Sequence, residues 1–305
     1  MSMIRIIPLG FAAGAEVRGV DLSQPLSDAD QRRINEAWLE HIVLVFPKQE
    51  LTPEQQIDFS RRFGVLDTHE SQAPSTLHPE HREILVLSNK MVGGKKSGTY
   101  NSGRNWHTDL SYTTRLAKGA TLHCKEKPPV GGDTMFANLY LALETLTPPI
   151  RRLIEDLEAL HDVTLVRGIE QRDPTVVAEM KRRNPPVIHP VVRTHPETGR
   201  KSLLVNQRIR RFLGMSDEES QNLLAMLNTH ATSPEFVYRH RWSIGDVVMW
   251  DNRCSCHVAL GDFDQTKPRV MFRCSLEGEV ETGRIARDFA ASDRESMLQA
   301  VAAVS

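Results

Sequence analysis

Two segments far apart in this 305-residue chain constrain its fold more than anything else: His107-Thr108-Asp109, and His257 behind Trp250-Asp251-Asn252-Arg253. Two imidazoles and one carboxylate form the ligand set that leaves half the coordination sphere of a ferrous ion open to small molecules. To serve one ion, the two segments must meet in space. A lone His-x-Asp is a weak motif, but its spacing carries geometry. If residues 105 to 113 end a strand, period two places His107 and Asp109 on one face and Thr108 on the other.

The second histidine has a similar setting. Gly245-Asp246 reads as a turn feeding a short buried strand through Val247-Val248-Met249-Trp250, with Asp251-Asn252 as its break and His257 just beyond. A Gly-Asp-x-Asp loop follows at 261 to 264, then the run Arg269-Val270-Met271-Phe272-Arg273-Cys274-Ser275-Leu276. On a strand, 269, 271 and 273 share a face. Two arginines on one face of a mostly apolar strand are costly to desolvate unless an anion pairs with them.

The motifs Trp106-His107-Thr108-Asp109, Gly131-Gly132-Asp133-Thr134, Trp250-Asp251-Asn252-Arg253 with His257, and Arg269 with Arg273 occur in the order found in one family. The chain resembles the taurine dioxygenase and 2,4-dichlorophenoxyacetate dioxygenase family of non-haem iron, 2-oxoglutarate-dependent oxygenases. Gly19-Val20-Asp21-Leu22 and Arg62-Phe63-Gly64 extend the similarity over nearly the whole chain.

The resemblance implies roles. His107, Asp109 and His257 match the iron ligands. Thr134 matches a hydroxyl that bonds a carboxylate of 2-oxoglutarate, and Arg269 matches the guanidinium on the cosubstrate's far carboxylate, a bidentate fork on a planar acid. Arg273 matches an arginine that holds the anionic head of the prime substrate, and His69 falls where some members place a histidine on the same head. Asn105-Trp106 resembles the taurine branch and makes Asn105 a further substrate candidate. The implied cofactors are Fe(II), 2-oxoglutarate as cosubstrate and O2. The implied reaction converts 2-oxoglutarate to succinate and carbon dioxide and places a hydroxyl on a nearby carbon. Asp109 favours hydroxylation, because related halogenating enzymes lack that carboxylate.

Plainer readings compete at several positions. His123, His161 and His189 read as surface or hydrogen-bonded histidines. Gly131-Gly132-Asp133 alone reads as a hairpin turn. Arg210-Arg211 and Lys181-Arg182-Arg183 read as solvated faces. Cys254-Ser255-Cys256-His257 lacks the cysteine at 253 that a haem attachment needs, so Cys254 and Cys256 are taken as small buried residues. For Arg273, the competing reading is a structural ion pair.

With 40% hydrophobic and 25% charged residues, the chain has material for one large domain over 1–305. A net charge of −1 gives no electrostatic reason to expect nucleic acid or membrane as partner. Four cysteines, no charged-then-apolar leader and no apolar run of spanning length lead us to expect a cytoplasmic protein, taken here as a homo-oligomer.

Ser27-Asp28-Ala29-Asp30 reads as a helix start through Ile34 and Trp38, followed by a buried strand at 42–46. Thr52-Pro53-Glu54-Gln55 carries a cap residue, proline at the first helical position and glutamine three on, and starts a helix running to Phe63-Gly64. Strands are expected at 83–88, 105–113, 117–125, 133–137, 188–192, 202–206, 236–242, 247–250 and 269–276. Helices are expected between 138 and 160, the second near Thr147-Pro148-Pro149, and from Ser216-Asp217-Glu218-Glu219. Residues 165–188, charged and without clear period, read as a mobile insertion over the active site, and 284–305 as a peripheral helix or tail. Many short strands with scattered helices give a mainly β fold with peripheral helices, a jelly roll or double-stranded β-helix of cupin-like type. The resemblance implies the same fold.

Two function classes follow. The first is the oxygenase, acting on a small anionic substrate: an aryloxyalkanoate ahead of taurine, other alkylsulfonates or alkyl sulfates. The second is a non-redox cupin-like metal protein or a zinc hydrolase, which explains the triad but neither Arg269 nor Thr134.

Overall fold

The computed structural model describes residues 4–69, 74–92, 95–96, 103–165, 169, 174–278 and 283–286. Its largest sheet has seven strands, in the order Arg5–Pro8, Ala15–Arg18, Val43–Phe46, Val247–Asp251, Gly119–Glu126, Val270–Leu276 and Leu85–Ser88. All neighbours pair antiparallel except Ala15–Arg18 with Val43–Phe46. A three-stranded sheet, Val237–His240, Thr134–Asn138 and Ser255–Ala259, faces it, and a four-stranded sheet includes Glu158–His161 and Val187–Pro190.

Strand parity sorts the central residues into two cores. Leu44, Phe46, Val247, Met249, Cys274 and Leu276 pack outward with Ile34, Trp38, Ile57 and Phe59 of the covering helices. Val43, Val45, Leu122, Val248, Trp250 and Met271 pack inward, where Phe136 and Trp242 of the small sheet's side meet them. Both faces of the large sheet are therefore buried, which is why Val43–Phe46 reads as an unbroken apolar run. Arg273 shares the inward parity of Met271 and pairs with Leu122 across the ladder. The arginine thus enters the space between the sheets.

The covering helices start where their cap residues require. Ser27 accepts from the Asp30 amide and opens Asp28–His41. Thr52 and Gln55 close a reciprocal capping box on Pro53–Arg61, as do Ser216 and Glu219 on Asp217–Ala231. Leu139–Glu144 and Pro148–Ile154 are the two helices expected between 138 and 160.

Several boundaries differ from the sequence reading. Residues 105–113 do not form a strand; only His107 makes an isolated antiparallel bridge, to His257, and turns follow, with Leu110 at φ 55°. The likeness of ligand orientation is set by that bridge and turn, not by strand period. Pro174–Arg183 is a helix inside the stretch in which no period was evident. The rest of the 165–188 expectation falls partly outside the described residues, as does the 284–305 tail beyond 286, although Arg284–Ile285 pairs with Val187–Ile188.

Candidate active site

His107 and His257 pair across an isolated antiparallel bridge. The His107 amide donates to the His257 carbonyl at 3.0 Å, and the His257 amide donates back at 2.8 Å. This reciprocal pairing holds the imidazoles with ring centroids 4.3 Å apart. Thr108 Oγ1, on the opposite side, donates to the Ser255 carbonyl at 3.0 Å and locks the bridge. Asp109 turns in after it: His107 Nε2 lies 3.7 Å from Asp109 Oδ1, and His257 Nε2 lies 3.8 Å from Asp109 Oδ2. One ligand atom from each of the three buried residues falls within 4.8 Å of the others.

The donor set fits a ferrous ion. His107 Nδ1 lies 2.7 Å from the Asn105 carbonyl, a contact that requires the proton on Nδ1 and leaves the Nε2 lone pair facing Asp109. Burial pushes the His257 imidazole down to about 3, with His107 adding to the effect. Burial likewise lowers His107, against the pull of Asp109. Both rings are therefore neutral donors at physiological pH. Burial pushes the Asp109 carboxyl upward, but Arg273 and the two histidines outweigh it and hold the group well below the usual carboxylate range. The triad is two neutral imidazoles and one carboxylate, the form that binds a divalent cation.

Asn252 steadies the carboxylate. Its Oδ1 accepts from Trp250 Nε1 at 3.1 Å, which aims Nδ2 at Asp109 Oδ2, 3.4 Å away. Trp250 also packs on His257, with centroids 4.9 Å apart. The Trp-Asp-Asn-Arg motif thus supports both ligand segments. Asp251 and Arg253 of the same motif turn away into a buried knot: Arg253 Nη2 donates to Asp251 Oδ2 at 2.7 Å, and His195 Nε2 lies 3.1 Å from the same oxygen. His195, Asp251 and Cys254 cluster closely enough for a metal. The amides of Glu197 and Thr198 donate to His195 Nδ1, so His195 Nε2 carries the proton and is no ligand there.

Beside the triad lies a cavity partly open to solvent. His107, His257, Thr134, Arg269 and Arg273 all line it. Arg269 is seated by Gly132, whose carbonyl accepts from its Nε at 3.0 Å. Gly131 and Gly132 hold φ 76° and 74°, and a Cβ on Gly131 would lie 2.2 Å from the Asp262 carbonyl oxygen, so the turn needs glycine there. Burial, then the charge of Arg104, pushes the Arg269 guanidinium down to about 10; it stays cationic at neutral pH. Thr134 Oγ1 accepts from Trp242 Nε1 at 3.0 Å, which turns the threonine hydroxyl into a donor for a ligand. Arg273 Nη1 donates to Asp109 Oδ1 at 3.0 Å, while its buried Nε has no hydrogen-bond partner among the described residues.

The structure brings six of the eight expected site residues to one place. His69 and the Asn105 side chain are outside the cavity wall. His69 is buried in the left-handed region at φ 54°, its Nδ1 3.3 Å from Asp67, whose charge in turn interacts with Arg273. Asn105 contributes its carbonyl to His107. Sequence reasoning missed Asn252 as a support, and also Arg104 and Phe263 in the cavity wall; Asn252 was legible in its motif, the other two carried no signal. His123 and His189 are buried and hydrogen-bonded to the carbonyls of Gln49 and Thr113. Cys254 and Cys256 are buried free thiols, as expected.

Residues 5–275 match the model of the family described as taurine catabolism dioxygenase TauD, TfdA family. The (S)-phenoxypropionate/alpha-ketoglutarate-dioxygenase of Sphingobium herbicidovorans is 37% identical over 279 residues, covering 90% of this chain and 95% of the relative. The alpha-ketoglutarate-dependent sulfate ester dioxygenase of Pseudomonas putida is 33% identical over 283 residues, covering 90% of both. Among solved structures, AAD-2 in complex with Mn(II) and N-oxalylglycine superposes with a TM-score of 0.79 at 33% identity, covering 92% of this chain and 98% of that one.

Proposed function

The chain belongs to the TauD, TfdA dioxygenase family and is an oxidoreductase that uses ferrous iron, 2-oxoglutarate and O2; from that premise we propose that it hydroxylates an aryloxyalkanoate at the carbon bearing the ether oxygen. Iron is assigned to His107, Asp109 and His257, with 2-oxoglutarate on Thr134 and Arg269 and the prime substrate's anionic head on Arg273. When bound, the iron and 2-oxoglutarate supply the oxidising chemistry: one oxygen atom enters succinate as carbon dioxide leaves, and the other is inserted into a C–H bond. The side chains do the rest. Trp250 and Asn252 hold the ligands in place, and the Arg269 fork fixes the far carboxylate of the diacid. Arg273 sets the distance between the anionic head and the reacting carbon, as a single anchor beside the metal can. The hydroxylated carbon then carries two oxygens and collapses to a phenol and a carbonyl acid.

The observation that carries this reading is Arg273 Nε, buried and without a hydrogen-bond partner among the described residues although Nη1 already pairs with Asp109. A structural ion pair accounts for one of the three guanidinium nitrogens; an incoming carboxylate would be held by the rest of the group. A carboxylate is favoured because the phenoxypropionate relative is 37% identical against 33% for the sulfate ester relative. An alkyl sulfate or alkylsulfonate, such as taurine, is the alternative and would use the same group. His69 and Asn105 are assigned indirect parts, behind Asp67 and under His107.

The facing seven- and three-stranded sheets around the site support assignment to the double-stranded β-helix class. The buried free cysteines support a cytoplasmic location. No helix among the described residues is long and apolar enough to cross a membrane. A homo-oligomer is proposed and is tested by light scattering. The substrate is tested by substrate-stimulated succinate release across aryloxyalkanoates, sulfonates and sulfate esters. Stimulation confined to the sulfur compounds would replace the aryloxyalkanoate assignment.

A further inference from the structure

The Gly131-Gly132 turn that seats Arg269 is itself held by an arginine outside the cavity wall. Arg269 Nε donates to the Gly132 carbonyl at 3.0 Å, and the Gly132 amide donates at 3.0 Å to Asp262 Oδ1, on the loop that follows Ser255–Ala259. The other oxygen of Asp262 accepts from Arg239 Nη2 at 2.9 Å, while Arg239 Nε donates to Asp133 Oδ2 at 2.8 Å. One guanidinium thus ties the turn to the loop. The backbone closes the same seam, with the Leu260 amide donating to the Asp133 carbonyl at 2.8 Å. Asp133 in turn precedes Thr134, which pairs with His240 and Ala259 in the three-stranded sheet.

Arg239 and Asp262 are both exposed, and an exposed pair contributes only about 0–1 kcal/mol to stability. Stability is not what this link governs. Asp133 is buried, and its carboxylate and that of Asp262 meet on the same guanidinium. Gly131 and Gly132 both lie in the left-handed region and bring no side chain to fix their own peptide planes. Their placement comes from the groups that grip them, and a guanidinium fork meets a planar carboxylate well over only a narrow range of angles. We propose that Arg239 is a positioning residue for cosubstrate binding: through Asp133 and Asp262 it fixes Gly132, and through Gly132 the direction in which Arg269 presents its guanidinium to the far carboxylate of 2-oxoglutarate. The proposal rests on the iron and 2-oxoglutarate assignment above.

The test compares 2-oxoglutarate with 2-oxopentanoate, which chelates iron in the same way but has a methyl where the far carboxylate would be. Anaerobic titration of the Fe(II) enzyme, followed by the visible charge-transfer absorbance, gives both dissociation constants. Arg239→Met is expected to weaken 2-oxoglutarate on the order of tenfold and to leave 2-oxopentanoate within about twofold. Asp262→Asn keeps an acceptor for the Gly132 amide but turns an amide NH2 toward Arg239; a loss of about threefold with the same selectivity is expected, and this variant decides the matter if Arg239→Met does not fold. In an Arg269→Met background, Arg239→Met should change 2-oxoglutarate affinity by less than about twofold, because the group it positions is gone. Equal weakening of both acids, no weakening of either, or a full loss that persists without Arg269 would overturn the proposal. If the unmodified enzyme gives no absorbance with either acid, the iron and cosubstrate assignment itself fails and the proposal with it, a distinct result.

Discussion

Arg269→Met removes the guanidinium and keeps most of the stem, so it separates charge from packing. Burial and Arg104 hold Arg269 down from 12.5 to about 10, which amounts to about 3 kcal/mol against the charged form at full value. The cavity side of the residue is part-open, and solvent screening reduces this to about 2 kcal/mol. Losing the Nε bond to the Gly132 carbonyl costs about 1 kcal/mol in return. Metal-free stability should therefore change by no more than about 1 kcal/mol, and in the stabilising direction. Cosubstrate binding should respond oppositely, because a bidentate charge-assisted pair is lost, at about 3–4 kcal/mol in total, or a Kd raised about a hundredfold to a thousandfold. Urea denaturation of the metal-free protein and anaerobic 2-oxoglutarate titration read the two quantities separately. A Kd within threefold of the unmodified enzyme, or a metal-free protein destabilised by several kcal/mol, would refute the assignment of Arg269.

Arg273→Ala should leave slow succinate release intact and abolish its stimulation by the prime substrate; normal substrate turnover would show that the anion is held elsewhere. Gly131→Ala places a Cβ 2.2 Å from the Asp262 carbonyl oxygen at φ 76° and should destabilise the fold by about 2 kcal/mol or more, lowering Tm; an unchanged Tm would mean that the turn relaxes freely. Burial holds the His123 and His189 imidazoles down to about 4, so between about pH 6.5 and 4 the unfolded chain binds more protons than the folded one. Stability of the metal-free protein should fall as pH drops through that window, and His123→Gln should flatten the slope; a flat profile in the unmodified chain would contradict this.

The residues that carry the chemistry were legible because their types are costly unless used: arginines at 269 and 273, just before and within an apolar strand, and a carboxylate two residues from a histidine. Helix starts were legible at Ser27, Thr52 and Ser216, where capping is local and needs no tertiary context. The bridge from His107 to His257 was not, because two amide–carbonyl bonds between distant segments leave no periodic trace in either. The same holds for the strand Ser255–Ala259, where Ser255 to Val258 are buried whether apolar or polar. The setting of Arg104 was not legible either, because Phe263 and Gly261 reach it only through the fold, where the Ala259 amide donates to the Gly103 carbonyl.

The most direct measurement is anomalous diffraction at the iron edge from crystals grown anaerobically with Fe(II) and N-oxalylglycine. One peak is expected, bounded by the Nε2 atoms of His107 and His257 and an Asp109 carboxylate oxygen, with the inhibitor's far carboxylate on Arg269. A peak at His195 and Asp251, or an iron bound without Asp109, would contradict the assignment.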